Sequence, residues 1–164
     1  MITPPGASLA MDAEGNQLLA FRRCAERELA PLEAKGSLRM AVVVAEYGAE
    51  VLLVHNSWRL HWELPGGERH VDEPPRRAAE RAFATKSGLA VPELDFVAVV
   101  TFRLVPDDRV EHAAIYRVSL GARADVNAFV PTDEVGGLRW WDLKEELPDS
   151  ADLDLWIAQH ALKR

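Results

Sequence analysis

The residues richest in chemistry lie between Asn56 and Leu89. A glycine loop, Leu64-Pro65-Gly66-Gly67, leads into a run that carries Arg76, Arg77, Arg81 and Lys86 against Glu80. Residues 76–86 therefore hold a balance of +3, against −10 for the rest of a chain whose formal net charge is −7. Pro75 suits a first helical position and Gly88 the residue just past the end, so the spacing predicts a helix over 75–87. On it, positions 82, 85 and 86 stand at i, i+3 and i+4 and share one face. That face presents the methyl of Ala82, the neutral hydroxyl of Thr85 and the ammonium of Lys86. It could contact a phosphate directly, but it offers no oxygen anion for general-base or metal-assisted hydrolysis. Glu80 lies about 200° around the helix from position 82 and projects away.

Other acids stand at Asp72 and Glu73 in the loop, at Glu111 on a predicted strand, and at Asp133 and Glu134 before the last strand. His70, Asp72 and Glu73 have the donor types to bind a metal, although loop acids beside prolines more commonly cap or face water. Glu63 reads either as a structural ion-pair partner or as a ligand hydrogen-bond acceptor. Trp58, in the polar stretch Asn56-Ser57-Trp58-Arg59, is the tryptophan best placed to touch a ligand. Trp140, Trp141 and Trp156 are expected in the core. Trp140 and Trp141 alternate faces, so at most one should be buried toward the last helix. The bland reading of Arg76 and Arg77 is that both are solvated, and Lys86 reads as a phosphate contact or a solvated cation. Cys24 is the only cysteine, which excludes an intramolecular disulfide and a cysteine-based zinc site. It reads as a small apolar side chain, and His160 as structural.

Residues 67–89, GERHVDEPPRRAAERAFATKSGL, resemble the Nudix box G-x5-E-x7-R-E-U-x-E-E-x-G-U, where U is apolar. Gly67, Glu73, Arg81, Phe83, Gly88 and Leu89 fill six of its nine fixed positions at the right spacing. The approach Trp62-Glu63-Leu64-Pro65-Gly66 and the order of strands extend the resemblance over about residues 38–164. It implies a scaffold of Gly66, Gly67, Glu73, Arg81 and Gly88, with Glu73 and Arg81 paired and the two loop glycines permitting a tight turn. It also implies a helix face of glutamates that hold Mg²⁺ or Mn²⁺ against a substrate pyrophosphate. Those glutamates are replaced here by Ala82, Thr85 and Lys86, which moves the face from three negative charges to one positive. Family members often take a further acid from a late loop, and Glu134 is the nearest match.

The elements that must position these residues follow from pattern. Residues 1–12 read as a loose tail. Residues 13–34 place Leu18, Phe21, Leu29 and Leu32 at helical spacing, ended by Gly36. Met40–Tyr47 and Glu50–His55 read as a hairpin across Gly48-Ala49. Leu94–Val105 and Arg109–Leu120 flank the turn Pro106-Asp107-Asp108. A strand over 137–143 leads to a helix over 151–162, with Ser150 as N-cap, Leu153, Trp156 and Ile157 as its buried stripe, and Lys163 and Arg164 at the end that favours cations. This gives an α+β fold, an α/β/α sandwich with a mixed β-sheet between helices, divided as an N-terminal tail and helix (1–37) and a Nudix-like domain (38–164).

No stretch is long and apolar enough to span a bilayer, and the N-terminus lacks the charged and apolar regions of a signal peptide, so a cytoplasmic protein is expected. The net charge argues against binding polymeric nucleic acid. The leading expectation is a Nudix-fold protein with impaired or lost pyrophosphohydrolase activity that binds a nucleotide-like or phosphorylated small molecule and needs no cofactor. One alternative is an active hydrolase using Mg²⁺ or Mn²⁺ on a displaced acid set of Glu73, Glu111 and Glu134. Another is a non-catalytic regulatory module with a protein partner.

Overall fold

Runs of β-branched and small apolar residues place the centre of the sheet. In the computed structural model, which describes residues 7–163, β3 (Leu38–Tyr47) buries Ala41, Val43 and Ala45 on one face and Val42 and Val44 on the other. A strand covered on both sides needs no polar alternation, which is why this run is continuously apolar. The remaining strands are β1 (Ala10–Met11), β2 (Gln17–Arg23), β4 (Glu50–Asn56), β5 (His61–Glu63), β6 (Gly66–Glu68), β7 (Asp95–Leu104), β8 (Arg109–Ser119) and β9 (Val135–Trp141). The helices are α1 (Ala30–Ala34), α2 (Pro75–Ser87) and α3 (Asp152–Ala161). The sheet runs β1-β2-β7-β8-β3-β4-β5, with β6 added to β3 and β9 to β4. The pairing is mixed, since β3 and β8 are parallel while β7 and β8 are antiparallel. Ala78, Ala79 and Phe83 of α2 pack into the core on one face. Leu153, Ile157 and Ala158 of α3 pack into the core on the other, completing the α/β/α sandwich.

The expected hairpin of β3 and β4 forms only at its tip, where Glu46 faces Val51 and Tyr47 faces Glu50. Beyond the tip the strands part, and residues 61–68 fill the fork. β5 pairs with β4 (Val54 with Glu63), and β6 pairs with β3 (Ala41 with Gly67, Val42 with Gly66). The glycine stretch is thus strand rather than tight turn. At Gly66 an added Cβ would lie 2.9 Å from the Ala41 carbonyl oxygen, so close backbone approach is what requires glycine there.

The helix expected over 13–34 is a strand, β2, followed by a 3-10 turn (Glu26–Leu29) and the short α1. A register shift between Leu18 and Ala20 explains the error. A bulge lets residues three apart share a strand face, so Leu18 and Phe21 enter the same core cluster at what reads as helical spacing. Leu29 and Leu32 pack on the opposite side of the sheet. Ala10 and Met11 pair with β2, so that part of the expected tail is ordered, while residues 1–6 lie outside the described residues. Ser150 donates its hydroxyl to the Leu147 carbonyl instead of capping α3, whose N-cap is Ala151. At the other end of α3, Arg23 donates to the carbonyls of His160 (2.9 Å) and Lys163 (2.6 Å). It supplies the cation that the helix end favours; Arg164 lies outside the described residues. Among the described residues no helix is long and apolar enough to cross a membrane.

Candidate functional site

The fork and the helix beside it define the site. α2 starts with Pro75 at its first turn and ends at Gly88, whose N–H still donates to the Ala84 carbonyl while its φ of 72° turns the chain out of the helix. Arg81 reaches back from this helix and grips the loop before it. Its Nε and one terminal nitrogen each lie 3.0 Å from the two oxygens of Glu73, and that nitrogen also donates to the Glu68 carbonyl at 2.7 Å. The His70 N–H donates to the same carboxylate at 3.0 Å. Arg81 first, and then that N–H, hold the Glu73 carboxyl down to about 2. Arg69 completes the grip by donating to the carbonyls of Leu38 and Glu73, a role the sequence did not announce.

The face at 82, 85 and 86 is built differently. Ala82 is 1% exposed, and a Cβ added at Gly67 would meet its methyl at 3.3 Å. Thr85 is exposed. Lys86 is not solvated: its side chain is 14% exposed, and its Nζ lies 2.8 Å from a carboxylate oxygen of Glu134. Glu134 is held in turn by Ser57, whose N–H donates to its carbonyl at 2.9 Å. One methyl, one hydroxyl and one already paired ammonium do not fit a hard divalent cation, which needs carboxylate oxygens.

On the opposite wall, Asn56 organises the 57–60 loop by accepting from the N–H groups of Trp58 and Arg59. Its amide donates to Glu63 at 3.0 Å, and His61 Nε2 lies 2.9 Å from the other Glu63 oxygen. Trp58, at 73% exposure, and Arg59 stand at the rim. Together these walls enclose a cleft of about 490 Å³ that takes in Trp58, Glu63, Gly67, Arg81, Lys86 and Glu134.

Glu111 is not part of it; it pairs with Arg109 at 3.0 Å on the β7–β8 hairpin. Glu73, Glu111 and Glu134 are therefore each engaged by a separate cation and do not converge. Arg76 is half-exposed but engaged. It pairs with Glu26 at 2.8 Å, and Glu26 accepts from the Tyr116 hydroxyl at 2.7 Å. Arg77 is exposed. Trp140 and Trp141 are both buried, on opposite faces, and only Trp141 joins the cluster beneath α3. Trp156 is only partly buried, packed edge-on to Phe21 and stacked on His160. Cys24 is partly buried against the core.

Asp154 went unremarked in the sequence. It projects from the first turn of α3 and accepts from the Leu64 N–H at 3.0 Å, just before the glycines. Burial, reinforced by the charge of Glu63, pushes its carboxyl up to about 7. Spacing could not find it, because its partner lies 90 residues away.

Solved structures share this architecture. The chain is similar to the NUDIX domain of Shewanella oneidensis NrtR complexed with ADP ribose, at 22% identity over 84% of this chain and 97% of that one, with a TM-score of 0.63. It is similar to a MutT NUDIX hydrolase from Burkholderia pseudomallei, at 20% identity over 76% and 98% of the two chains, with a TM-score of 0.62. A C. elegans Ap4A hydrolase in a binary complex matches at 19% identity over 76% and 96%, with a TM-score of 0.58. At these identities the likeness concerns the fold. A comparison with curated proteins found no match. The family model described as NUDIX domain matches residues 37–160, most of the chain and all of the cleft, and the protein belongs to that family.

Proposed function

We propose that this NUDIX-family protein binds a nucleotide-like or phosphorylated small molecule in the cleft beside α2 and has lost the family's metal-dependent pyrophosphate hydrolysis. The observation that carries the reading is the Lys86–Glu134 pair at 2.8 Å. It sets an ammonium on the helix face where the family resemblance implies carboxylates, and it engages Glu134, the nearest match to the family's late-loop acid. A divalent cation within a few ångströms of that ammonium is opposed by roughly several kcal/mol, before any offset from Glu134. Ala82 and Thr85 supply nothing to oppose this. The binding half of the proposal is supported by the cleft itself, with an exposed indole and a guanidinium at its rim. ADP ribose and Ap4A, named for two similar structures, give the first probes.

The test is direct. Nucleoside diphosphates linked to a second moiety are incubated with the protein in Mg²⁺ or Mn²⁺, and turnover is compared with buffer alone. Rates near background are expected. Robust turnover that a chelator abolishes would overturn the reading.

A further inference from the structure

We infer that the ligand of this cleft carries a planar ring system and a single phosphate group, not a pyrophosphate. The inference rests on the binding reading above and adds a chemical class to it. It follows from which charges in the walls are already engaged. Three cations face the cleft: Arg59, Arg81 and Lys86. Arg81 is held by both oxygens of Glu73, and Lys86 by Glu134. Arg59 makes no ion pair or side-chain hydrogen bond among the described residues, and it stands exposed at the rim. The same walls carry Glu63 and Glu68, whose charges no arginine or lysine among the described residues pairs.

Counting Glu73 behind Arg81, three cations oppose four carboxylates. Such a site has one guanidinium to offer an anion and no spare positive charge beyond it. Each further phosphate on a ligand adds at least one more negative charge, and with no metal to neutralise it that charge would face Glu63, Glu68 and Glu134 at close range. Arg59 can meet one phosphate with two parallel N–H donors. Trp58, its neighbour in the chain and 73% exposed, offers a face on which any nucleobase can stack. Asn56 fixes both residues through their main-chain N–H groups at 3.0 Å, so the pair is presented as a unit.

The experiment is a calorimetric titration of the full chain with nucleosides and their 5′-mono-, di- and triphosphates, with and without Mg²⁺. The monophosphates are expected to bind at least as tightly as the di- and triphosphates, and Mg²⁺ to leave their affinity within about twofold. Arg59→Ala should weaken monophosphate binding by about tenfold or more, the size of a charged hydrogen bond, while leaving the nucleoside nearly unaffected. Trp58→Ala should weaken both. Affinity that climbs with each added phosphate, or that needs Mg²⁺, overturns the inference while leaving the binding reading in place. No binding by any member of the series overturns both.

Discussion

Two parts of one short stretch are held in opposite ways. The loop-and-helix scaffold, from Gly66 to Glu73 and on to Arg81, has its charges locked into a dense local network. The face one residue further along the same helix presents Ala82, Thr85 and Lys86, and its one charge is tied to a distant loop. The scaffold network and the Lys86–Glu134 pair share no residue, so the two can be probed separately by mutation.

The largest effect is expected at the scaffold. Arg81→Ala leaves the Glu73 carboxylate with only the His70 N–H and takes the Arg81 donor from the Glu68 carbonyl, which should cost about 2 kcal/mol, measured by urea unfolding at neutral pH. Because the folded-state value for Glu73 is about 2 against an ordinary 4.5, its contribution is complete above about 4.5 and is lost as pH falls toward 2. That acid-dependent slope should shrink in Arg81→Ala, where only the His70 N–H still lowers the carboxyl. A loss below about 0.5 kcal/mol would erase the contrast between scaffold and face.

Gly66→Ala comes next, at roughly 2 kcal/mol, since its methyl would press on the Ala41 carbonyl across β3. Gly67→Ala should cost less, because its 3.3 Å neighbour is a side-chain methyl. Thermal melts of the two variants side by side give the ranking, and a reversed order would mean the strand pairing does not set the constraint.

Asp154→Asn tests the link between α3 and the glycine strand. The folded state raises this carboxyl, so it favours the protonated form. Stability from Asp154 is greatest below its ordinary 3.8 and is lost as pH rises through about 7. The amide keeps an acceptor for Leu64 without the charge. The variant should therefore be more stable than the parent at pH 8, by roughly 1 kcal/mol, and the difference should shrink toward pH 4. A difference that grows as pH falls would refute the assignment. This window lies above that of Glu73, so one pH series separates the two groups.

The smallest effect is expected at the face of Ala82, Thr85 and Lys86. Lys86→Met removes a partly exposed pair and should change stability by less than about 1 kcal/mol. Extending it to Glu at 82, 85 and 86 together should create divalent-cation binding, read by Mn²⁺ titration, with Glu134 released to join. Failure of the triple variant to bind, while still folded, would show that the scaffold no longer presents this face as the family resemblance implies.

What the sequence disclosed and what it hid divide along a physical line. Helix α2 was legible because Pro75 and Gly88 act locally, and the Glu73–Arg81 pair because residues 67–89 resemble the Nudix box. The β7 and β8 strands were legible from their apolar runs. β2 was misread because a bulge gives a strand the period of a helix. The partners of Lys86 and Asp154 were hidden for another reason. Glu134 and Leu64 are brought to them by the fold, and no local pattern in the chain marks the meeting.

The forked sheet has a consequence for how such a protein can change over time. The floor of the cleft is main chain: β6 pairs with β3 through Gly66 and Gly67, and that pairing makes no use of the polar groups of Thr85 and Lys86 on α2. A pocket floored by peptide groups holds its outline while its walls are rewritten one residue at a time. Binding preferences can therefore drift, or a reaction be abandoned, without the intermediate sequences passing through an unfolded state.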